Sequence, residues 1–227
     1  MFSKVVVSAL IAGFGAGLFA AVLQFAFVQP ILLHAELFET GVLTHFGADP
    51  SAAHVAHEGG IDIMRDGLSI MFSALIYVGY ALMLLALMVF AEERGQPITA
   101  RTGLIWGIAG WIAVQMAPAF GLAPELPGMN AADVDARQIW WFATVAATGL
   151  GLWFIAFGRN WAMWGVAIIL LAAPHIIGAP MPDTLTGPAP PELGAEFAAR
   201  AIGTGLAVWA LLGLLLGAVW SKNLGEA

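Results

Sequence analysis

The chain has 227 residues, 60% of them hydrophobic and only 10% charged, with a net charge of −7 and no cysteine. Soluble domains carry roughly 25% charged residues, so the composition points instead to a polytopic helical membrane protein. It also excludes disulfides, thiolate metal sites and iron–sulfur clusters, and the acidic balance argues against a nucleic-acid partner.

In chain order, the first predicted span covers residues 5–28. Lys4 precedes it, but the apolar run exceeds the roughly 7–15 residues of a secretory signal core, so it reads as a retained span. Gly13 and Gly17 form a GxxxG, a spacing that lets helices approach closely. Pro30 marks its end or a kink, because proline lacks the helical donor. Residues 31–40 could continue as a short helix with Gly41 as its stop. The connection 29–67 is expected to face the periplasm and is rich in His and acids. The second span is 68–91, closed by Glu92, Glu93, Arg94 and Gly95. The third is 103–122, with Gln115 and Pro118 in its later half and a second GxxxG at Gly103 and Gly107. The stretch 117–128 then breaks the helix with three prolines, Pro118, Pro124 and Pro127, around the carboxylate of Glu125.

The fourth span is 139–158 and the fifth is 161–177, separated only by Arg159 and Asn160. Two spans joined so briefly must be antiparallel neighbours. The fifth ends near Pro174-His175. A proline-rich loop leads to the sixth span, 197–220, with a third GxxxG at Gly213 and Gly217. Trp140, Trp141, Trp161, Trp164 and Trp220 suit aromatic belts at the membrane surfaces. The whole reads as a single all-α membrane domain of six spans in three hairpins. Each outward helix ends near a proline (Pro30, Pro118, Pro174), and each returning helix follows a lone arginine (Arg65, Arg137, Arg200). These six residues are expected to shape and anchor the span ends, and a threefold internal repeat is one reading of them.

Six spans place Lys4, Arg94, Arg101, Arg159 and Lys222 on one side and Arg65, Arg137 and Arg200 on the other. The positive-inside rule therefore puts both termini in the cytoplasm. All but Glu92, Glu93 and Glu226 of the 15 acids then lie outside. Acids do little to set orientation, so this asymmetry calls for another cause. No span carries a central Asp, Glu, Lys or Arg, where a proton-coupled carrier usually places one. The ionisable groups gather at the outer ends instead, as in a subunit that concentrates cations at its mouth.

Three sets of residues could carry chemistry. His54, His57 and Glu58 form HxxHE, which on a helix would bring imidazole and carboxylate to one face for a divalent ion; the alternative is a solvated loop. Glu125, held between two prolines, could collect cations at a pore mouth, or cap the next segment in a rigid turn. His175, near the end of an apolar span, could be a metal ligand or proton carrier, or could be satisfied by a backbone carbonyl. Gln24 and Gln115 lie within spans, where a buried amide must find a partner across helices.

The stretches that carry a family resemblance are Gln29-Pro30 with His34-Ala35-Glu36, residues 117–128, Ala136-Arg137-Gln138-Ile139-Trp140-Trp141, and Pro174-His175 through Pro180. With them the chain resembles the CbtA family, predicted cobalt transporter subunits of bacteria, over nearly its whole length. Residues 53–59 are a shorter version of that family's His- and Glu-rich first loop. The resemblance implies cobalt uptake linked to cobalamin biosynthesis. It also implies a small single-span partner, CbtB, with a His-bearing terminus.

The expected function is that of an inner-membrane subunit, not an enzyme, in a cobalt uptake system, with nickel as the other candidate metal. Co2+ or Ni2+ would be cargo rather than a stably bound cofactor. Glu125, His175, His34 and Glu36 would form its outer vestibule, with lipids as neighbours. The alternative is a structural or accessory subunit of a larger membrane complex. The three GxxxG runs and the lack of a central charge would fit that role.

Overall fold

The computed structural model describes residues 2–45 and 63–225, the last three as backbone only. Its helices are α1 (Phe2–Glu39), α2 (Ile63–Glu92), α3 (Ala100–Ala119), α4 (Val134–Phe157), α5 (Trp161–Ile177) and α6 (Pro191–Gly225). All but α5 are long and apolar enough to cross a membrane. The apolar α5 has 17 residues, which at about 1.5 Å per residue is slightly short of a hydrocarbon core of about 30 Å. There is no strand among the described residues. The polytopic helical bundle expected from composition is the observed fold.

The largest departure lies at Pro30. The helix does not stop there. A proline ring removes one amide donor and crowds the carbonyl four residues earlier. Here the backbone widens into a π turn over Gln24–Val28 and then resumes as α-helix from Gln29 to Glu39. The connection expected from residue 29 therefore begins after Glu39, where Gly41 takes a left-handed φ of 76° to end the helix. The same device recurs in α3, where a π turn over Ile112–Met116 sits directly ahead of Pro118. In both helices the π turn ends two residues before the proline. In α5, by contrast, the α-helix runs through Pro174 without a π turn. At this level the proline pattern repeats twice, not three times.

Polar side chains set the helix starts. Thr99 and Thr102 exchange bonds at the head of α3: Thr99 N–H donates to Thr102 Oγ1 (2.8 Å), and Thr102 N–H to Thr99 Oγ1 (3.2 Å). Asp133 caps α4 by accepting from the amides of Asp135 and Ala136, both at 3.1 Å. Asn160 caps α5 through Met163 N–H (2.9 Å). Each satisfies donors that a helix start leaves open. The caps and turns also shift the predicted span ends outward. The fourth span starts at Val134 rather than 139, and the sixth at Pro191 rather than 197.

The chain divides into two compact units. The first comprises Met1–Phe27, Gly60–Trp111 and Gly203–Ala227, the second Val28–Gly59 and Ile112–Ile202. In the first unit α1 runs antiparallel to α2. A Cβ at Gly13 would lie 2.6 Å from Val78 Cα, and one at Gly17 2.5 Å from Ala74 Cα, so only hydrogen fits at either position. Ala9, Ala12 and Ala16 are buried in the same helix. The two other GxxxG runs lock onto each other: Gly103 and Gly107 of α3 face Gly213 and Gly217 of α6, backbone against backbone. The Trp220 indole N–H donates to both carboxylate oxygens of Glu92 (3.1 and 3.3 Å).

In the second unit α4 and α5 form the hairpin expected from their two-residue link. Gly151 of α4 faces Leu171 and the Ala167 carbonyl of α5, and Thr144 and Thr148 are buried on α4. The Trp140 indole N–H donates to the Pro174 carbonyl (3.2 Å). Trp140 and Trp220 are 8% and 3% exposed, which corrects their expected place in an aromatic belt. Each has an interior acceptor for its N–H, so burial leaves no donor stranded. Trp161 and Trp164 remain exposed. The two loops of this unit are stitched by Asn130, whose side-chain amide donates to the hydroxyls of Thr184 (2.9 Å) and Thr186 (2.7 Å).

Gly213→Leu should lower thermal stability in detergent micelles by at least about 3 kcal/mol, because its side chain would meet backbone on α3. Gly79→Leu, at a site with nothing within 4 Å, should leave the melting temperature unchanged or raise it. Equal losses in the two variants would show that close backbone approach is not what holds α3 to α6. Trp140→Phe should cost about 1 kcal/mol, one hydrogen bond to an acceptor that keeps its second donor, Gly178 N–H. An unchanged melting temperature would remove that bond from the account.

Candidate functional site

The site is built on residues 117–128. Pro118 ends α3, and the chain tightens at once: Gly121 and Leu122 both donate amides to the Pro118 carbonyl (3.1 and 2.8 Å). A Cβ at Gly121 would come within 2.8 Å of the Trp140 ring and of Ala179. Leu126 is 4% exposed and sits in a core cluster with Val28, Ile31, Ala35, Ala189 and Phe197. Gly128, at φ 75°, closes the turn. Glu125 thus projects from a backbone fixed by Pro124 and Pro127 on either side and by a buried leucine beside it.

Its carboxylate is not free. Arg137 Nη2 donates to Glu125 Oε2 at 2.9 Å. Arg137 belongs to the first turn of α4, whose start is set by the Asp133 cap. Arg137 thus pairs across twelve residues and not with Asp135, two residues away on its own helix. Positions i and i+2 point to different sides of a helix, whereas Glu125 comes from outside it. The two side chains are 35% and 30% exposed. They line a cleft of about 660 Å3 together with Gln115, Pro118, Gln138 and Trp141. The Gln115 amide N–H donates to the Ala201 carbonyl (3.0 Å), the cross-helix partner its place within a span calls for.

The other candidates are dispersed. His175 lies in the last turn of α5, its ring edge-on to Phe120 (5.1 Å) and Trp140 (6.3 Å). Its Nδ1 is buried with no hydrogen-bond partner among the described residues. The adjacent Pro174 carbonyl cannot serve it, being taken by Trp140 and by Gly178 N–H. His34 and Glu36 are exposed on α1, His34 beside Phe38 (ring centroids 5.5 Å apart). Two residues apart on a helix, they point to different sides. His54, His57 and Glu58 lie outside the described residues. Among the described residues no group of three or more His, Asp or Glu side chains is close enough to hold a metal ion.

The arginines at the span ends behave as a set. Arg65 Nε donates to Asp66 Oδ1 (3.1 Å). Arg200 pairs with Glu196 one turn away. Arg137 reaches into the Glu125 cleft. Its role, and those of Gln138 and Trp141, were not separable in sequence from membrane anchoring. The signal that could have found them is the Asp133 cap, which sets the start of α4 and so the direction of Arg137.

Residues 2–221 match the family described as "Probable cobalt transporter subunit (CbtA)". No curated protein and no solved structure matches the chain. The match covers the α1 extension, the 117–128 turn, the head of α4 and Pro174-His175, the stretches on which the resemblance rested. The chain is a membrane protein and belongs to the CbtA family, described as probable cobalt transporter subunits.

Proposed function

We propose that this chain is the membrane subunit of a cobalt uptake system in the bacterial inner membrane, with both termini in the cytoplasm and Ni2+ as a second candidate cargo. The observation that carries the reading is the family match over residues 2–221. The orientation is supported by the excess of Lys and Arg on the side of the termini. On that orientation the Glu125 cleft opens outward, among most of the acids of the chain. A surface of that sign raises the local concentration of cations before any of them binds.

Within the cleft, Glu125 is the one carboxylate, and its turn is held by two prolines and a buried leucine. A carboxylate with neutral amide oxygens beside it suits a hard or borderline divalent ion that keeps part of its water shell. His175 supplies an imidazole at the end of α5. His34 and Glu36, exposed on the end of α1, act on cations by charge and by transient contact. A subunit implies partners, and a small single-span protein with a His-bearing terminus is the partner we assign. Catalysis has no part in this role: the cargo crosses unchanged.

Two measurements test the reading. Uptake of Co2+ by cells carrying the Glu125→Ala/His175→Ala double variant should fall to the level of cells lacking the protein; uptake equal to wild type would rule the vestibule out. Green fluorescent protein fused after residue 227 should fluoresce, and alkaline phosphatase fused there should be silent. The reverse pattern would invert the orientation and put the cleft on the cytoplasmic side.

A further inference from the structure

A cation-collecting carboxylate is expected to stand open to solvent. Glu125 instead carries a guanidinium 2.9 Å from its Oε2. The partner is fixed on the first turn of α4, and the carboxylate is fixed on a double-proline turn, so neither meets the other by chance of flexible surface chains. Both line one cleft, whose other polar side chains are Gln115, Gln138 and the Trp141 indole. The Gln115 amide nitrogen is engaged with the Ala201 carbonyl, which leaves its oxygen as the group available to a cation. The cleft therefore holds one negative group, two neutral amides and one tethered cation.

We propose that Arg137 is a built-in competitor: its guanidinium occupies the position that a divalent cation takes at Glu125, and it leaves as the cation arrives. This rests on the cation-collecting reading of the cleft and adds its regulation. The physical reason for such a device is charge balance. Without a partner the cleft would carry an uncompensated negative charge beside its apolar walls. The pair is neutral as a unit and stabilises the empty cleft. A monovalent ion offers Glu125 no more charge than the guanidinium already does, and the guanidinium adds a directed hydrogen bond. A divalent ion offers twice the charge and can displace it. The released side chain, already 30% exposed, moves toward water. Competition also weakens the hold on the cargo, and a transport site must release what it binds.

The test uses the full-length chain in lipid nanodiscs, titrated with CoCl2 and read by calorimetry and by the visible absorption of Co2+. Wild type is compared with Arg137→Gln, Arg137→Met, Arg137→Lys and Glu125→Gln. Removing the competitor's charge should tighten Co2+ binding by at least about fivefold in R137Q and R137M. R137K, which keeps the charge, should stay within about twofold of wild type. E125Q should bind no Co2+ at this site. In cells, R137Q should lower both the KM and the maximal rate of Co2+ uptake, a split that a merely structural arginine would not produce. Two neutral variants that bind no tighter than wild type, with E125Q still abolishing binding, would overturn the competitor while leaving Glu125 as the cation site. R137K tightening as much as R137Q would also overturn it, since charge would then not be the cause. If E125Q binds Co2+ like wild type, the cation reading of the cleft fails, and the competitor fails with it. R137Q or R137M that does not fold is replaced by the other, and loss of folding in both while R137K is sound would make the pair structural and overturn the proposal.

Discussion

The bundle depends on close backbone approach between helices. Lipid tails are as apolar as leucine, so helices in a membrane gain little from hiding apolar side chains from their surroundings. What remains is contact area, and small residues maximise it. Gly13 and Gly17 bring the α1 backbone onto Val78 and Ala74 of α2, and Gly103 and Gly107 meet Gly213 and Gly217. At these sites one added carbon has no space. The large apolar side chains point the other way: Leu10, Ile11, Phe14 and Leu18 of α1 are exposed. Along Phe2–Leu23 the usual arrangement of a soluble protein is thereby inverted, with alanine and glycine within and leucine and phenylalanine without.

The prolines are the second constraint, and they were harder to read. Proline before a helix end looks the same in sequence whether the helix stops, kinks or widens. At Pro30 and Pro118 the chain widens into a π turn, which frees room for the ring at the cost of one irregular turn. A 3.6-residue pattern cannot forecast this, because a π turn shifts the helix face only after it has formed. At Pro174 the helix stays α through the ring, and the proline's own carbonyl accepts from the Trp140 indole and from Gly178 N–H. Three similar prolines thus end in two different structures, set by tertiary neighbours that a single sequence does not display.

What the sequence did make legible follows from strong local signals. Apolar runs located all six helices, with α5 correct to the residue and the others displaced by caps such as Asp133 and by the passage through Pro30. GxxxG spacing announced close helix contact, though not which run would meet which. The site was legible in part. Glu125 stood out because prolines flank it, and its partner did not, because Arg137 shares its position before a helix with Arg65 and Arg200. Those two pair with neighbours at one and four residues. Only the fold reveals that the third reaches across twelve. Trp140 and Trp220 failed as belt residues for a related reason: an indole needs one acceptor, and the interior supplied it.

The glycine contacts also bear on what kind of subunit this is. GxxxG runs on a lipid-facing surface would favour an accessory protein packed into a larger complex, since such runs invite foreign helices. Here all three runs are spent within the chain, on α1 with α2 and on α3 with α6. A Cβ at Gly79, Gly149 or Gly165 would meet nothing within 4 Å, but these glycines are isolated and form no matching surface. The feature that first suggested a structural role therefore accounts for the chain's own fold. A polar feature that these contacts do not use is the Glu125–Arg137 pair in its cleft. That pair is held on two rigid elements and takes no part in the glycine contacts that hold the first unit together.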